Sequence, residues 1–345
     1  MAWYLEEGPE ADVVVSTRVR LARNLANTPF PWRLSTGELE YVREKIESAF
    51  GQLCIEEDGK PLIVDLEQLG SIESLALAEK RIISRTMLGD RRGKALLLYP
   101  DEKAGLLVNE EDHLRIFAVS PGLALEDAAE RALACAASLG SLLPFAKSER
   151  LGYLTACPTN TGTGMRASVM MHVPGLIRLG VIGKLSDKLA KSGYALRGAG
   201  GEGTSMEADL IQLSNQITLG ISEADILKEL NRLVADVANE ERKARRILYA
   251  RDEKALEDEI GRARGQLMFA GLMTSGEALG LLSLLRLGRE LDLPQMPDYA
   301  LIQQLMTGVG EGAIQQEAGR PMEARERDEM RAAMLNRRLL ELPYK

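Results

Sequence analysis

Histidine is almost missing from this chain of 345 residues, which holds only His113 and His172. A metal centre built on imidazole is thereby close to excluded. Cysteine is nearly as scarce. Cys54, Cys135 and Cys157 are odd in number, lie far apart and form no CxxC pair, so neither a disulfide framework nor a zinc cluster is expected. Long apolar runs are lacking too. The charge-free stretch 132–146 contains Ser, Gly and Pro, and is too short and too broken to span a bilayer. The opening residues MAWYLEEGPEADVVV show no basic segment followed by an apolar one, so no signal peptide is read there. A cytoplasmic protein with no membrane partner is expected. There is no positive excess either: the formal net charge of −8 argues against a nucleic-acid partner. No internal repeat or low-complexity tract is present.

What the chain does have is an ordinary globular composition, 45% hydrophobic and 27% charged. At about 150 residues per domain, its length suggests two domains. Its basic residues are mostly Arg. The guanidinium fork grips phosphates and carboxylates through two N–H groups, so the excess hints at anion chemistry, although GC-rich genomes also enrich Arg. Strand-like runs at 13–17, 95–99, 106–109 and 114–120 alternate with helical periodicity at 36–50 and 125–143. After Ser222 the pattern changes. The sequence SEAD at 222–225 reads as a capping box, and a charged helical pattern follows with few breaks to about Phe269. Further helices are expected at 276–289 and 320–340, with a loop at 294–297. The boundary is placed near Arg245, giving domains 1–244 and 245–345.

Four islands carry chemistry. STRVR at 16–20 puts Arg18 and Arg20 two apart, on one face of a strand, where they can grip a polyanion together; solvated arginines on an edge strand fit the same residues. NEEDHLR at 109–115 crowds three acids, which favours holding a cation, metal or guanidinium, or else makes a solvated turn. CPTNTGTGMR at 157–166 sets a cysteine before a Gly/Thr-rich loop, either as a thiol activated by a nearby cation or as inert packing. The loop lacks the spacing of a Walker A motif. RGAGGEG at 197–203 places one glutamate in a glycine-rich stretch, suited to closing onto a ligand and equally to a flexible surface loop.

In order and wording the four islands resemble the guanidino (phosphagen) kinases, which move the γ-phosphoryl of ATP to a guanidinium nitrogen. The resemblance implies an α+β catalytic fold, an antiparallel sheet flanked by helices of the phosphagen kinase and glutamine synthetase type, and the helical pattern after Ser222 adds an all-α C-terminal domain. It implies that ATP is bound along Ser16, Thr17, Arg18, Val19 and Arg20, by Arg115, along Arg166, Ala167, Ser168, Val169 and Met170, and along Arg197, Gly198, Ala199, Gly200, Gly201 and Glu202. Arg81 stands near where the animal enzymes carry an adenine-contacting His, and can stack on a base. Glu111 and Glu202 would align the substrate guanidinium and accept its proton, with Cys157 beside it as a thiolate. Mg²⁺ would be held chiefly by ATP oxygens and waters, without a dedicated protein ligand set.

Animal phosphagen kinases carry a helical domain of roughly a hundred residues before the first island, whereas here a helical region follows the last. That order resembles the bacterial protein arginine kinases, as does RDEMRA at 327–332, which fits their RDxxRA signature. This implies protein substrates, phosphorylated on arginine side chains. It further implies a stress-response role with tagging for Clp proteolysis, and as partners a zinc-binding activator, a heat-shock repressor and a Clp ATPase. A homo-oligomer is expected. Arg327 and Arg331 share a helix face, as in any salt-bridged helix. With the resemblance, these two arginines suit the phosphoryl of phosphoarginine and Asp328 its guanidinium. Two alternatives stand beside this reading: a kinase of free arginine, and a silent regulator that only binds phosphoarginine.

Overall fold

Alternation along VVSTRVRLAR builds the strand at the middle of the molecule, β1 (Val14–Arg23), with Val19 and Leu21 fully buried and Arg18 and Arg20 partly exposed between them. The computed structural model describes residues 3–55, 61–198 and 207–341. The elements that follow are α1 (Thr36–Ile55), β2 (Leu62–Asp65), α2 (Ser71–Glu79), β3 (Ala95–Leu98), β4 (Ala104–Val108), β5 (Leu114–Pro121) and α3 (Leu125–Leu142). Then come a two-strand hairpin, β6 (Lys147–Ser148) and β7 (Gly152–Tyr153), and β8 (Met165–His172), α4 (Pro174–Arg178), α5 (Ile182–Lys191), β9 (Tyr194–Gly198) and β10 (Leu210–Asn215). Helices complete the chain: α6 (Glu223–Arg251), α7 (Glu253–Phe269), α8 (Ser275–Glu290), α9 (Tyr299–Gly308), α10 (Glu311–Ala318) and α11 (Ala324–Leu340).

Eight strands form one antiparallel sheet in the order β2-β3-β4-β5-β1-β8-β10-β9. The period of two gives the sheet opposite faces. On one, Val19, Leu21, Ile116, Ala118, Ala167, Val169 and Leu213 meet α1, α3 and α6 in the main core. Among the described residues, the other face is covered only at its flanks. Ile82, Ile83 and Met87 cover Leu96, Leu107, Phe117 and Val119 at one side. At the other side Val15, Met170 and Leu210 join the core of the C-terminal helices through Leu267, Leu282, Leu285 and Leu335. Between the flanks, the middle of the sheet carries its arginines.

Two sequence expectations need correction. The first strand does not close with STRVR at Arg20 but continues to Arg23, because both neighbours, β5 and β8, pair along its length. The helical pattern from Ser222 to Phe269 is two helices, broken where Asp252 leaves helical geometry and accepts the Ala255 amide (3.0 Å) as the N-cap of α7. Ser222 does cap α6, its hydroxyl accepting the Asp225 amide at 3.1 Å. Arg245 lies inside α6 and is buried, in a cluster that ties sheet to helices. Glu241 accepts the amides of Gly175 and Leu176, each at 2.9 Å, and pairs with Arg245 at 2.8 Å. Arg245 also meets Glu290 of α8 (3.2 Å), which meets His172 of β8 (2.8 Å).

Candidate active site

The register brings the separate islands onto one face. Arg20 of β1 is opposite Arg166 of β8, and Arg18 is opposite Ser168. On the other side of β1, Ala22 is opposite Arg115 of β5. Met170 pairs with Gln212 of β10, which pairs with Arg197 of β9. Since directly paired residues point the same way, Arg18, Arg20, Arg115, Arg166 and Arg197 share the open face. Alternation turns Thr17, Val19, Ala167 and Val169 to the opposite face, so their side chains lie beneath the site rather than in it.

Crowded cations give this face a strongly positive field. Burial, then the nearby Arg115, pushes Arg18 down to about 10. Burial, with Arg115 and Arg18 next, holds Arg20 well below its ordinary value. Arg166 is lowered too, by burial and then by Arg197. Arg166 donates to Asn160 Oδ1 (3.1 Å) and to the Asn215 carbonyl (2.8 Å). Arg18 donates to the Arg81 carbonyl and stacks over Phe117. A polyanion in the middle of this face would relieve the repulsion.

NEEDH forms the turn between β4 and β5, and the four polar side chains after Asn109 diverge. Asn109, at φ +54°, donates to the carbonyls of Leu39 (2.9 Å) and Gly93 (2.8 Å). Asp112 faces inward, accepting Asn24 Nδ2 (2.6 Å) and the Ala156 amide (2.7 Å). His113 is fully buried, its Nδ1 accepting the Leu25 amide at 3.1 Å. Glu110 pairs with Arg115 and accepts from Ser84 (2.8 Å). Burial opposes ionisation of Glu110, yet Arg115 and Ser84 keep it below the usual range. Glu111 alone is turned outward. Burial, then Asp112, raises its carboxyl, and the neighbouring Cys157 side chain works against that rise.

Cys157 is partly exposed, and its Sγ lies 3.0 Å from Thr159 Oγ1. Behind it, the Gly/Thr loop is locked by backbone geometry. Gly162 (φ +115°) and Gly164 (φ +64°) occupy conformations that favour glycine, and a Cβ at Gly162 would lie 2.2 Å from the Thr218 carbonyl. Arg23, which sequence reasoning passed over, is buried, stacks on Tyr153 at 3.5 Å and donates to the Thr163 carbonyl at 3.0 Å. Asn24, Ser84 and Asn215 were passed over too; each is a polar residue beside a strand or turn, and only its partners disclose its work.

Beyond Arg18 lies a cavity of about 70 Å³ walled by Ile82, Phe117, Val119 and Met170, with Ser16, Ser168 and Gln212 at its polar edge. Arg81 closes it, one guanidinium nitrogen 3.3 Å from Met170 Sδ. Arg81 and Met170, distant in sequence, thus meet as wall and lid of one pocket. Gly198 ends β9, and Ala199, Gly200, Gly201 and Glu202 lie outside the described residues. Among the described residues, no three His, Cys, Asp or Glu side chains group as a metal site. No described helix is long and apolar enough to cross a membrane.

The RDxxRA residues lie apart, on α11. Arg327 donates to the Met322 carbonyl (2.7 Å) and pairs with Glu311 (3.2 Å). Arg331 is buried, donating to the carbonyls of Val309 (2.6 Å) and Met273 (2.7 Å) and pairing with Asp328 (2.6 Å). Its fork is thus engaged inside the fold, and what reaches the surface is Arg327 and Asp328.

Comparison with known proteins agrees with this geometry. Residues 41–244 match the sequence model of the ATP:guanido phosphotransferase C-terminal catalytic domain, and residues 253–345 that of the Protein-arginine kinase McsB C-terminal domain. The protein-arginine kinase of Moorella thermoacetica is 40% identical over 334 residues, covering 96% of this chain and 95% of that one. That of Symbiobacterium thermophilum is 40% identical over 340 residues, covering 98% and 96%. Among solved structures, a lombricine kinase is alike in fold, with a TM-score of 0.60 at 23% identity over 68% of each chain. Sheet, arginine face, helical C-terminal region and close relatives converge: the chain belongs to the ATP:guanido phosphotransferase family, in the branch whose members are named protein-arginine kinase.

Proposed function

We propose that this protein transfers the γ-phosphoryl group of ATP to arginine side chains of proteins. The observation that carries the reading is the arginine face with Glu111 and Cys157 at its rim. Arg18, Arg20, Arg115, Arg166 and Arg197 hold the phosphates, and the base enters the cavity that Arg81 closes, near Ser16 and Ser168. The target guanidinium sits against Glu111 and Cys157, with Glu202 supplying a second carboxylate. One guanidinium nitrogen attacks the γ-phosphorus. The N–P bond forms as the P–O bond to ADP breaks, and the nitrogen's proton passes to a carboxylate. Protein contributes alignment and charge, which phosphoryl transfer chiefly requires. Mg²⁺ would be carried on ATP oxygens and water, where it would neutralise charge on the transferred phosphoryl.

The finer expectations belong to the same reading: a cytoplasmic, homo-oligomeric stress enzyme that tags proteins for Clp proteolysis and works with a zinc-binding activator and a heat-shock repressor. Residues 1–244 form its catalytic unit and 245–345 its helical one. Phosphoarginine binds at the partly exposed Asp328 and Arg327, with Arg331 holding Asp328 from within. The decisive test is mass spectrometry of a model protein incubated with enzyme and Mg-ATP, under conditions that spare acid-labile P–N bonds. Phosphoryl groups should appear on arginines. Transfer to free arginine alone would instead make the protein a small-molecule kinase.

A further inference from the structure

The segment after β10 inverts ordinary patterning. Its polar members, Asn215 and Thr218, are buried, while its aliphatic members, Ile217 and Leu219, are 52% and 50% exposed. The inversion is held in place from inside. Asn215 Nδ2 donates to the carbonyls of Met165 (3.1 Å) and Ile217 (3.0 Å), and its Oδ1 accepts the Ala167 amide (2.9 Å). The Thr218 hydroxyl lies 3.0 Å from the Thr159 carbonyl and 2.8 Å from that of Thr161, and the Thr218 carbonyl accepts the Thr163 amide at 3.0 Å. With both polar side chains anchored, the aliphatic ones have nowhere to turn but outward. Two more apolar residues border them. Pro158 is exposed beside Thr159, and Leu151 stands exposed at the tip of the β6–β7 hairpin, which pairs with the same loop through Tyr153 and Gly162.

This rim adjoins the acceptor position. From Thr218 the contacts run to Thr159, and from Thr159 Oγ1 to Cys157 Sγ at 3.0 Å; the Glu111 carboxyl feels Cys157 as a neighbour. An arginine whose guanidinium reaches Glu111 and Cys157 leaves its own backbone at the mouth of the site, beside Thr159. We propose that Leu151, Pro158, Ile217 and Leu219 form a docking surface for the polypeptide around the target arginine, selecting an extended segment with an aliphatic or aromatic side chain close to it. The assignment rests on the function proposed above. Four part-exposed side chains offer far less than the roughly 800 Å² per partner of a stable dimer, so a transient peptide fits them better than a second copy. Folded proteins bury most such side chains, so the surface favours chains that have lost their packing.

The test is kinetic and uses the full chain with Mg-ATP. Two peptides are compared, one with Gly and Ser around a single arginine, the other with Leu and Phe in those places. The native enzyme should favour the apolar peptide about tenfold in kcat/KM, through KM, as expected for burying part of two aliphatic side chains. The double variant Ile217→Ser/Leu219→Ser should lose most of that preference, keeping native rates on the polar peptide and a native KM for ATP. Ile217→Val/Leu219→Met should retain it. Equal use of both peptides by the native enzyme, or an undiminished preference in the serine variant, overturns the docking surface and leaves the kinase reading intact. A serine variant that changes only its sedimentation assigns the surface to a second copy and overturns it too. No transfer to either peptide removes the kinase reading, and the docking surface with it.

Discussion

Glu110 and Glu111 are adjacent and chemically identical, yet the fold gives them opposite work. Glu110 is held against Arg115 and Ser84, where it steadies a guanidinium. Glu111 faces the opening beside Cys157 with its carboxyl raised by burial and by Asp112, which suits a group that must take up a proton. Glu111→Gln should lower kcat by about 10² or more while leaving the affinity for ATP within a few-fold. Because the base must be ionised, the native rate should fall as pH drops through the raised Glu111 value. Pre-steady-state rates and nucleotide titrations of the two proteins check both halves, and a variant with native turnover would remove Glu111 from the reaction. Spacing and charge mark the acidic island without dividing it, and only the family resemblance singles out Glu111. The two glutamates differ only in which way a tight turn points them, and that is set by distant partners such as Asn24, Leu39 and Gly93.

At the scale of elements, the strands and helices with strong periodicity were legible, and so was the Ser222 cap. What escaped was pairing. Nothing local tells that β8 lies beside β1 or that β10 separates it from β9, because register is decided by contacts far along the chain. The break at Asp252 escaped for a related reason: an aspartate within a charged helical pattern reads equally as a surface residue. Two substitutions measure how differently polar groups hold elements together. Asp252→Ala removes one exposed cap and should cost about 1 kcal/mol. Glu241→Ala leaves the buried amides of Gly175 and Leu176 unpaired and takes from Arg245 one of its two buried carboxylates, and should cost about 3–5 kcal/mol. Urea unfolding of both variants compares them directly, and equal midpoints would deny Glu241 its role as the tie between α4 and α6.

In the whole molecule both histidines are fully buried. Burial pushes His113 down to about 4, and burial together with Arg286 and Arg245 holds His172 well below the ordinary value. Above pH 6.5 the folded and unfolded chains both keep these rings neutral, so they leave stability unchanged there. As pH falls from 6.5 towards 4, the unfolded chain takes up protons that the folded one refuses. Stability should then fall, by about 3 kcal/mol through His113 alone. Imidazole resonances of the folded protein should stay put between pH 8 and 5.5, and a midpoint near 6.5 for either would contradict this burial. The strand β1 has a wider consequence. From Arg18 to Leu21 its odd and even residues belong to two different enterprises, one oily and one ionic, threaded on a single backbone. A slip of one residue would drive Arg18 and Arg20 into the core and lift Val19 and Leu21 into the reaction cleft. If Arg18 and Arg20 hold the phosphates, a molecule misassembled in this strand should have no activity rather than a diminished one. The turnover of a partly denatured sample should then count its intact molecules, each working at full rate.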